Sequence, residues 1–335
     1  MAASIRDVAQ RAGVSVGTVS NVLNDSPRVS PATVERVRAA IAELGYVRNE
    51  AARQLRAGRS SSVGLVVLDV RNPFFTDVAR GAEDEATRSG LSVILGNSDE
   101  DVARESSYLD LFEEQRVHGI LISPYGDIEP RLAELRRRGT PVVLVDRESR
   151  DAGVSSVSVD DTSGGRLAVE HLLATGRRRI LFAGGPSGVR QIADRLAGAR
   201  AAVAEQPGAT LEVVETAGLT VLEGRRVGER LVARADRPDA VFAANDLVAV
   251  GLLQALVMSG RLRVPEDVAL VGFDDIDFAS ATVVPLTSVR QPRHEIGATA
   301  LRILREEAAD PQLPPRRIVF QPELVVREST GVPPA

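Results

Sequence analysis

The sequence has no cysteine, no tryptophan and no lysine. Without cysteine neither a disulfide framework nor a thiolate metal site can form. The three histidines, His118, His171 and His294, are too scattered to suggest a metal centre, so no metal and no cofactor is expected. No apolar run approaches the roughly 20 residues of a membrane span. The first residues also lack the charged-then-apolar pattern of a signal peptide. A cytoplasmic protein with no membrane partner is therefore expected. All 41 basic residues are arginine, a bias read as the codon usage of a GC-rich genome. The chain of 335 residues is long enough for two or three domains with sizeable cores.

The net charge of -5 is unevenly spread. Through Ser60 nine arginines face five acids, an excess of +4 that leaves -9 for the remainder. A basic head on an acidic body suits a head that meets phosphate and a body that does not.

The head opens with SIRDVAQRAGVSVGTVSNVLN, residues 4–24. Ser4 and Asp7 have the spacing of a capping box. Ile5, Val8, Ala9 and Ala12 share one helical face, and Gly13 breaks the run. Ser15 stands where a second N-cap belongs. Val19, Val22 and Leu23 then form a buried face, leaving Val16, Gly17, Thr18, Ser20, Asn21 and Asn24 outward or at the helix start. This is a helix-turn-helix pattern, and equally the pattern of two ordinary packed helices. Ser30-Pro31 starts a third helix, with the apolar stripe Val34, Val37, Ile41 and Leu44, and Gly45 ends it. The segment 49–58 has one large apolar residue, Leu55, among Arg53, Arg56 and Arg59, and reads as a linker.

From Ser62 short apolar runs alternate with helical stretches. Eight strands are expected, near 63–69, 91–95, 119–122, 142–146, 179–183, 211–214, 240–244 and 268–273. Amphipathic helices are expected at 76–89, 164–175 and 246–259. The alternation predicts an α/β fold of parallel sheets with helices on both faces. Eight strands exceed one ordinary open sheet, so two lobes are expected, each presenting ligand groups at strand carboxyl ends.

Aromatics make up 3% of the chain, so adjacent Phe74 and Phe75 after the first strand stand out. They can floor a ligand cleft, since a sugar's C–H face packs on a ring, or simply begin a core helix. Asp146, Arg147, Arg195, Asn245, Asp274 and Gln291 can pair with hydroxyls, because carboxylates accept, guanidinium donates and amides do both. Any one alone is explained by a surface salt bridge; the set is harder to explain so. Asp274 and Asp275, adjacent on a strand, face opposite ways and are not an acid–base pair. The loop 184–188, GGPSG, lacks the Gly-Lys-Ser/Thr ending of a phosphate loop and reads as a turn. No Ser-His-Asp spacing emerges, and His171 reads as structural.

These residues resemble the LacI/GalR family of bacterial transcription repressors, the lac-repressor type. The head carries IRDVAQRAGVSVGTVSNVLN, VSPATVERVRAAIAELGYVRN and EAARQLR; the body carries NPFF, GILIS, PVVLVDR, SVDD, GGRLAVEHLLATGRRRI, DRLAGARAA, VFAANDLVAVGLLQAL, VPEDVALVGFDDIDFA and PLTSVRQP. The body is also similar to ribose-type periplasmic sugar-binding proteins. The resemblance implies a helix-turn-helix headpiece at 1–48 and a hinge helix at 49–60. It implies an N-terminal lobe at 61–160 and 292–321, and a C-terminal lobe at 161–291 and 322–335. It implies a homodimer on double-stranded, pseudopalindromic operator DNA, in the nucleoid when bound, released when a small-molecule effector closes the lobes.

By the resemblance Val16, Gly17 and Asn21 read bases, while Thr18, Ser20, Asn24, Ser30 and Thr33 hold phosphates. Leu55 matches the hinge leucine that wedges into the minor groove, with Asn49 and Ala52 on the same segment. The effector pattern falls on Asn72, Phe74, Phe75, Asp146, Arg147, Arg195, Asn245, Asp274 and Gln291, which points to a monosaccharide, in particular a pentose, over a purine or disaccharide. Gly17 departs from the pattern by leaving one base-reading position without a side chain. Arg48 stands where proline is usual, Arg177 replaces a frequent histidine, and no leucine heptad for a tetramer tail is expected. A stand-alone transport protein, a corepressor mode and a sugar-modifying enzyme are the competing readings.

Overall fold

The computed structural model describes residues 3–23, 27–46, 60–149 and 153–331. They fall into two compact units, one within Met1–Ser60 and one within Ser61–Ala335. Asn24, Arg48, Asn49, Ala52 and Leu55 lie outside the described residues.

The first unit packs α1 (Ile5–Ala12), α2 (Val16–Leu23) and α3 (Pro31–Leu44) around Val8, Ala9, Ala12, Val19, Val22, Val37 and Ala40. Each boundary has a local cause. Ser4 N donates to Asp7 Oδ2 at 2.8 Å, and Asp7 N donates back to Ser4 Oγ at 3.4 Å. Gly13 closes α1 at φ 64° and Gly45 closes α3 at φ 57°, left-handed conformations that favour glycine. Thr18 N donates to Ser15 Oγ at 3.0 Å, which caps α2.

The second unit holds two six-stranded sheets. In chain order the first half runs β1 (Ser62–Val67), α4 (Pro73–Thr87), β2 (Ser92–Asn97), α5 (Val102–Glu114), β3 (Ile120–Ile122), α6 (Glu129–Arg137), β4 (Val142–Val145) and β5 (Ser155–Val159). There follow α7 (Asp161–Ala174), β6 (Arg179–Ala183), α8 (Arg190–Ala204), β7 (Thr210–Val214), α9 (Val221–Ala233), β8 (Ala240–Ala243) and α10 (Asp246–Ser259). The chain ends through β9 (Ala269–Asp274), α11 (Asp277–Ala281), β10 (Thr287–Arg290), α12 (Arg293–Ala309), β11 (Arg317–Phe320) and β12 (Glu323–Val325). The strand orders are β11-β5-β4-β3-β1-β2 and β12-β10-β9-β8-β6-β7. Every pair is parallel except β10 with β12. The chain therefore crosses between sheets after β5, after β10 and after β11.

Among the described residues twelve strands correct the expected eight. Strand β5 reads SSVSV, and its buried serines interrupt the apolar run that marks a buried strand. Strand β10, TSVR, hides the same way, while β11 (RIVF) and β12 (ELV) are short and half-exposed. Helices α4 and α7 start at Pro73 and Asp161, three residues before the expected Thr76 and Gly164. The caps explain it: Asn72 Oδ1 accepts from Phe74 N at 3.0 Å and Asp160 Oδ1 from Ser163 N at 2.8 Å.

Three helix pairs in this unit meet through reciprocal glycines. A Cβ on Gly81 would sit 2.0 Å from His294 O, and one on Gly297 1.9 Å from Val78 O, across α4 and α12. Gly165 and Gly198 approach Arg195 O and Thr162 O to 2.0 and 1.9 Å across α7 and α8. Gly224 and Gly251 approach Val248 O and Val221 O likewise, 2.0 and 1.9 Å, across α9 and α10. In each case the obstacle is backbone, which cannot swing aside as a side chain can. Gly165→Ala is therefore expected to cost about 3 kcal/mol or more of unfolding free energy, a large overpacking penalty. Urea denaturation checks this; a midpoint within error of the parent would refute the close contact.

Candidate functional site

In the head, α2 turns Val16, Gly17 and Asn21 to solvent, while Thr18 and Ser20 are half-buried. Ser30, exposed, and Thr33, half-buried, stand at the start of α3 with their hydroxyls 3.0 Å apart. The described candidates thus lie on α2 and at the start of α3.

In the core, most of the expected effector residues converge. Asn72, Phe74, Phe75, Asp146, Arg195, Asn245 and Asp274 line one cavity of about 30 Å³, together with Leu68, Val189, Gln191, Ile192 and Leu219. The walls come from both sheets. Asn72, Phe74 and Phe75 follow β1, and Asp146 follows β4; Arg195 and Gln191 stand on α8, Asn245 follows β8, and Asp274 ends β9.

Arg195, 4% exposed, is the centre of the charge arrangement. Its Nε donates to Asp161 Oδ1 at 2.7 Å and its Nη1 to Ala244 O at 2.7 Å. Nη1 also lies 3.8 Å from Asp274 Oδ1, and the guanidinium stacks 3.6 Å above the Phe273 ring. Burial raises the Asp161 carboxyl to about 6, with Arg195 opposing. Burial also lifts Asp146 well above the usual carboxylate range; Asp161 adds to the shift and Arg195 opposes it. Asp274 is raised by burial against the pull of Arg195. One buried cation thus serves three buried carboxylates, an arrangement held by geometry rather than by charge balance.

Two side-chain amides, Gln191 and Asn72, tie the sheets together across the cavity through three hydrogen bonds. Gln191 Nε2 donates to Asp146 O at 2.7 Å and to Asp146 Oδ2 at 2.9 Å. Asn72 Nδ2 reaches Asp274 Oδ2 at 3.4 Å, while Gln291 Nε2 donates to Asp274 Oδ1 at 2.7 Å. Three buried acceptors beside these bonds have no partner: Asp146 Oδ1, Gln191 Oε1 and Gln291 Oε1. The rings of Phe74 and Phe75 meet edge-to-face with centroids 4.9 Å apart, and both are buried.

Arg147 is separated from this set. Its Nη1 donates to Gly126 O at 2.7 Å, and it lines a second cavity of about 460 Å³ that also borders Asp146, Gln191, Arg190 and Asp194. Asn245 caps α10 through Val248 N at 2.9 Å, so its Oδ1 is engaged. Asp275 turns away from the cavity to Arg290 and Arg327, at 2.7 and 2.6 Å. His171 bonds Thr330 Oγ1 at 2.8 Å. Loop 184–188 is a turn whose Ser187 N is taken by Glu215 Oε1 at 2.8 Å. Among the described residues no cluster of three His, Cys, Asp or Glu could hold a metal, and no helix is long and apolar enough to cross a membrane.

The sequence reading missed Gln191 and Asp161. Gln191 lies one turn before Arg195, at the i, i+4 spacing that shares a helix face. In the sequence Asp161 marks only a lobe boundary, yet it is the carboxylate nearest Arg195.

Comparison with known proteins places this geometry. Residues 4–49 match the family described as bacterial regulatory proteins, lacI family, and residues 169–330 match a periplasmic binding protein-like domain. The chain is 38% identical over 303 residues to the ribose operon repressor of Bacillus subtilis, covering 90% of each chain. It superposes on the lac repressor dimer bound to operator and an anti-inducer with a TM-score of 0.86, at 28% identity, over 99% of this chain and 100% of that one. A LacI family transcriptional regulator from Enterococcus faecium with bound ribose aligns at TM-score 0.73 and 27% identity, over 82% of this chain and all of that one. A relative this similar over nine-tenths of both chains settles the family: the chain belongs to the LacI family of bacterial transcription regulators.

Proposed function

We propose that this protein represses sugar-utilisation genes as a homodimer on a pseudopalindromic operator, and that a monosaccharide of the ribose class binding in the core cavity releases it. The observation that carries the ligand class is the pair of orphan acceptors Asp146 Oδ1 and Gln191 Oε1, lining a cavity edged by Phe74 and Phe75, with a third, Gln291 Oε1, on the amide that donates to the lining residue Asp274. A ligand that offers several O–H donors and an apolar ring face satisfies both, and a sugar does. Repression of a ribose operon, operator binding and bound ribose are properties of the relatives described above. Residues 1–48 serve as the DNA-binding head, 49–60 as the hinge, and the two lobes exchange chain at 160/161, 291/292 and 321/322. The protein works in the cytoplasm, at the nucleoid while on DNA.

The cavity supplies the switch. About 30 Å³ is the room of a single water, so a sugar enters only when the two sheets part. Entry breaks the bonds Gln191–Asp146 and Asn72–Asp274, and closure over the sugar rebuilds the cleft around a larger content. The rearranged N-terminal lobes then present their heads to the two half-sites differently, and operator affinity falls. Linkage requires operator to weaken sugar binding by the same factor. Calorimetry with D-ribose, with and without operator DNA, is expected to give affinities that differ by about 5–150-fold. Equal affinities would end the inducer reading, and tighter ribose binding on DNA would replace it with a corepressor mode. A ribose turnover assay separates this regulator from a sugar-modifying enzyme, since turnover would end the reading as a regulator.

A further inference from the structure

Asp246, the first residue of α10, is fully buried yet does not line the effector cavity. Its Oδ2 accepts from Ile276 N at 2.8 Å, and its Oδ1 accepts from Ser288 Oγ at 2.6 Å. Ser288 Oγ in turn accepts from Asp275 N at 3.1 Å. The carboxylate rests on bare backbone: a Cβ on Gly272 would come within 2.1 Å of Asp246 Oδ1. A glycine in the middle of β9 is what makes room for it.

These bonds close on a strained corner. Asp274 and Asp275 have φ of 104° and 51°, the left-handed region that residues other than glycine seldom occupy. Such conformations persist only where the surroundings over-determine them. Asp246 and Ser288 hold Asp275 and Ile276 by their amides, immediately after Asp274. The same residue follows Asn245, so one buried carboxylate joins the helix start that carries Asn245 to the strand end that carries Asp274.

We infer that Asp246 is a positioning residue of the effector site: it holds the corner after β9 so that Asp274 is aimed into the cleft between Gln291 and Asn72. The inference rests on the reading of that cleft as a sugar site. Burial, with Asp274 adding, raises the Asp246 carboxyl well above the usual range. The group therefore sits where a structure would place an apolar residue unless its two acceptor oxygens were needed. An amide at this position can keep the bond from Ile276 N, but its N–H then donates to Ser288 Oγ, so the Ser288 proton loses its acceptor and the hydroxyl must turn.

The test uses the full chain and D-ribose in a double-mutant cycle. Asp246→Asn is expected to weaken ribose binding at least tenfold, Asp274→Asn to weaken it comparably, and the double variant to be little weaker than Asp274→Asn alone. Asp246→Asn with parental affinity would overturn the inference, and so would two losses that multiply in full, since that marks a general structural defect. If Asp246→Asn does not fold, Ser288→Ala takes its place in the cycle with a several-fold loss expected and the same two refuting outcomes. Failure of the parent protein to bind ribose would refute the sugar reading instead. In that event amide exchange without ligand decides: the Ile276 amide is expected to lose protection in the variant while the β6 amides keep theirs, and unchanged Ile276 protection overturns the positioning role.

Discussion

Arg195→Met is expected to abolish ribose release while leaving operator binding in place, and to destabilise the core in a strongly pH-dependent way. The guanidinium is the counter-charge that Asp161 and Asp274 share at 2.7 and 3.8 Å, and it lowers the cost of burying Asp146. Removing one member of a buried ionic set leaves the others uncompensated, at about 3–5 kcal/mol. Methionine retains much of the stem's packing over Phe273, so the loss reports charge more than volume. The sign follows from proton linkage. With its folded-state value raised to about 6, the Asp161 carboxyl binds a proton that the unfolded chain has already lost across roughly pH 4 to 6. Its contribution to stability is therefore full below the unfolded value and lost as pH rises through 6. Without Arg195 the carboxyls shift further upward, and the deficit should be largest near pH 8 and shrink towards pH 5. Urea unfolding at both pH values checks this; a deficit that grows on acidification would mean that the arginine does not neutralise the cluster. Ribose affinity should fall by about 3 kcal/mol, roughly 100-fold, through loss of a charged hydrogen-bond donor.

The residues that make this prediction possible were largely legible beforehand, and for a physical reason. Asn72, Phe74, Phe75, Asp146, Asn245 and Asp274 each follow an apolar run, and in parallel sheets the ends of such runs converge. What could not be read is where neighbouring residues part company. Asp146 has φ 58°, so the chain turns sharply there and Arg147 departs to Gly126 although it is next in sequence. Gln191 carries no charge and its significance appears only once Asp146 from the other sheet lies 2.9 Å away. The fold was legible to the extent that burial left an apolar trace. Strand β5 left none, because Ser155, Ser156 and Ser158 are buried inside it. The reciprocal glycines were illegible too. Gly81 and Gly297 are separated by most of the chain, and nothing local marks either as a point where two helices touch.

On the DNA side, Asn21→Ala is expected to cost operator affinity about 1–3 kcal/mol, the worth of one good bidentate base contact. The recognition-helix face leaves little alternative. Gly17 offers no side chain, Val16 is apolar and 37% exposed, and Asn21 is the exposed amide beside them. An amide suits adenine, whose N6 donor and N7 acceptor it can engage together. Leu55, outside the described residues, is expected to add a wedge whose removal likewise weakens specific binding more than non-specific binding. The decisive quantity is the ratio of operator to random-sequence affinity at one salt concentration. Asn21→Ala and Leu55→Ala should each lower that ratio about 5-fold or more, and together they should act independently, as expected of one residue assigned to the major groove and one to the minor. Thr33→Ala, if that hydroxyl holds a phosphate, should weaken both affinities alike and leave the ratio unchanged. If Asn21→Ala behaved like Thr33→Ala, the amide would be a backbone anchor. The base reading would then pass to Val16, whose only partner in the groove is a thymine methyl. With a mute glycine beside it, this head would then depend mainly on how readily the operator centre deforms.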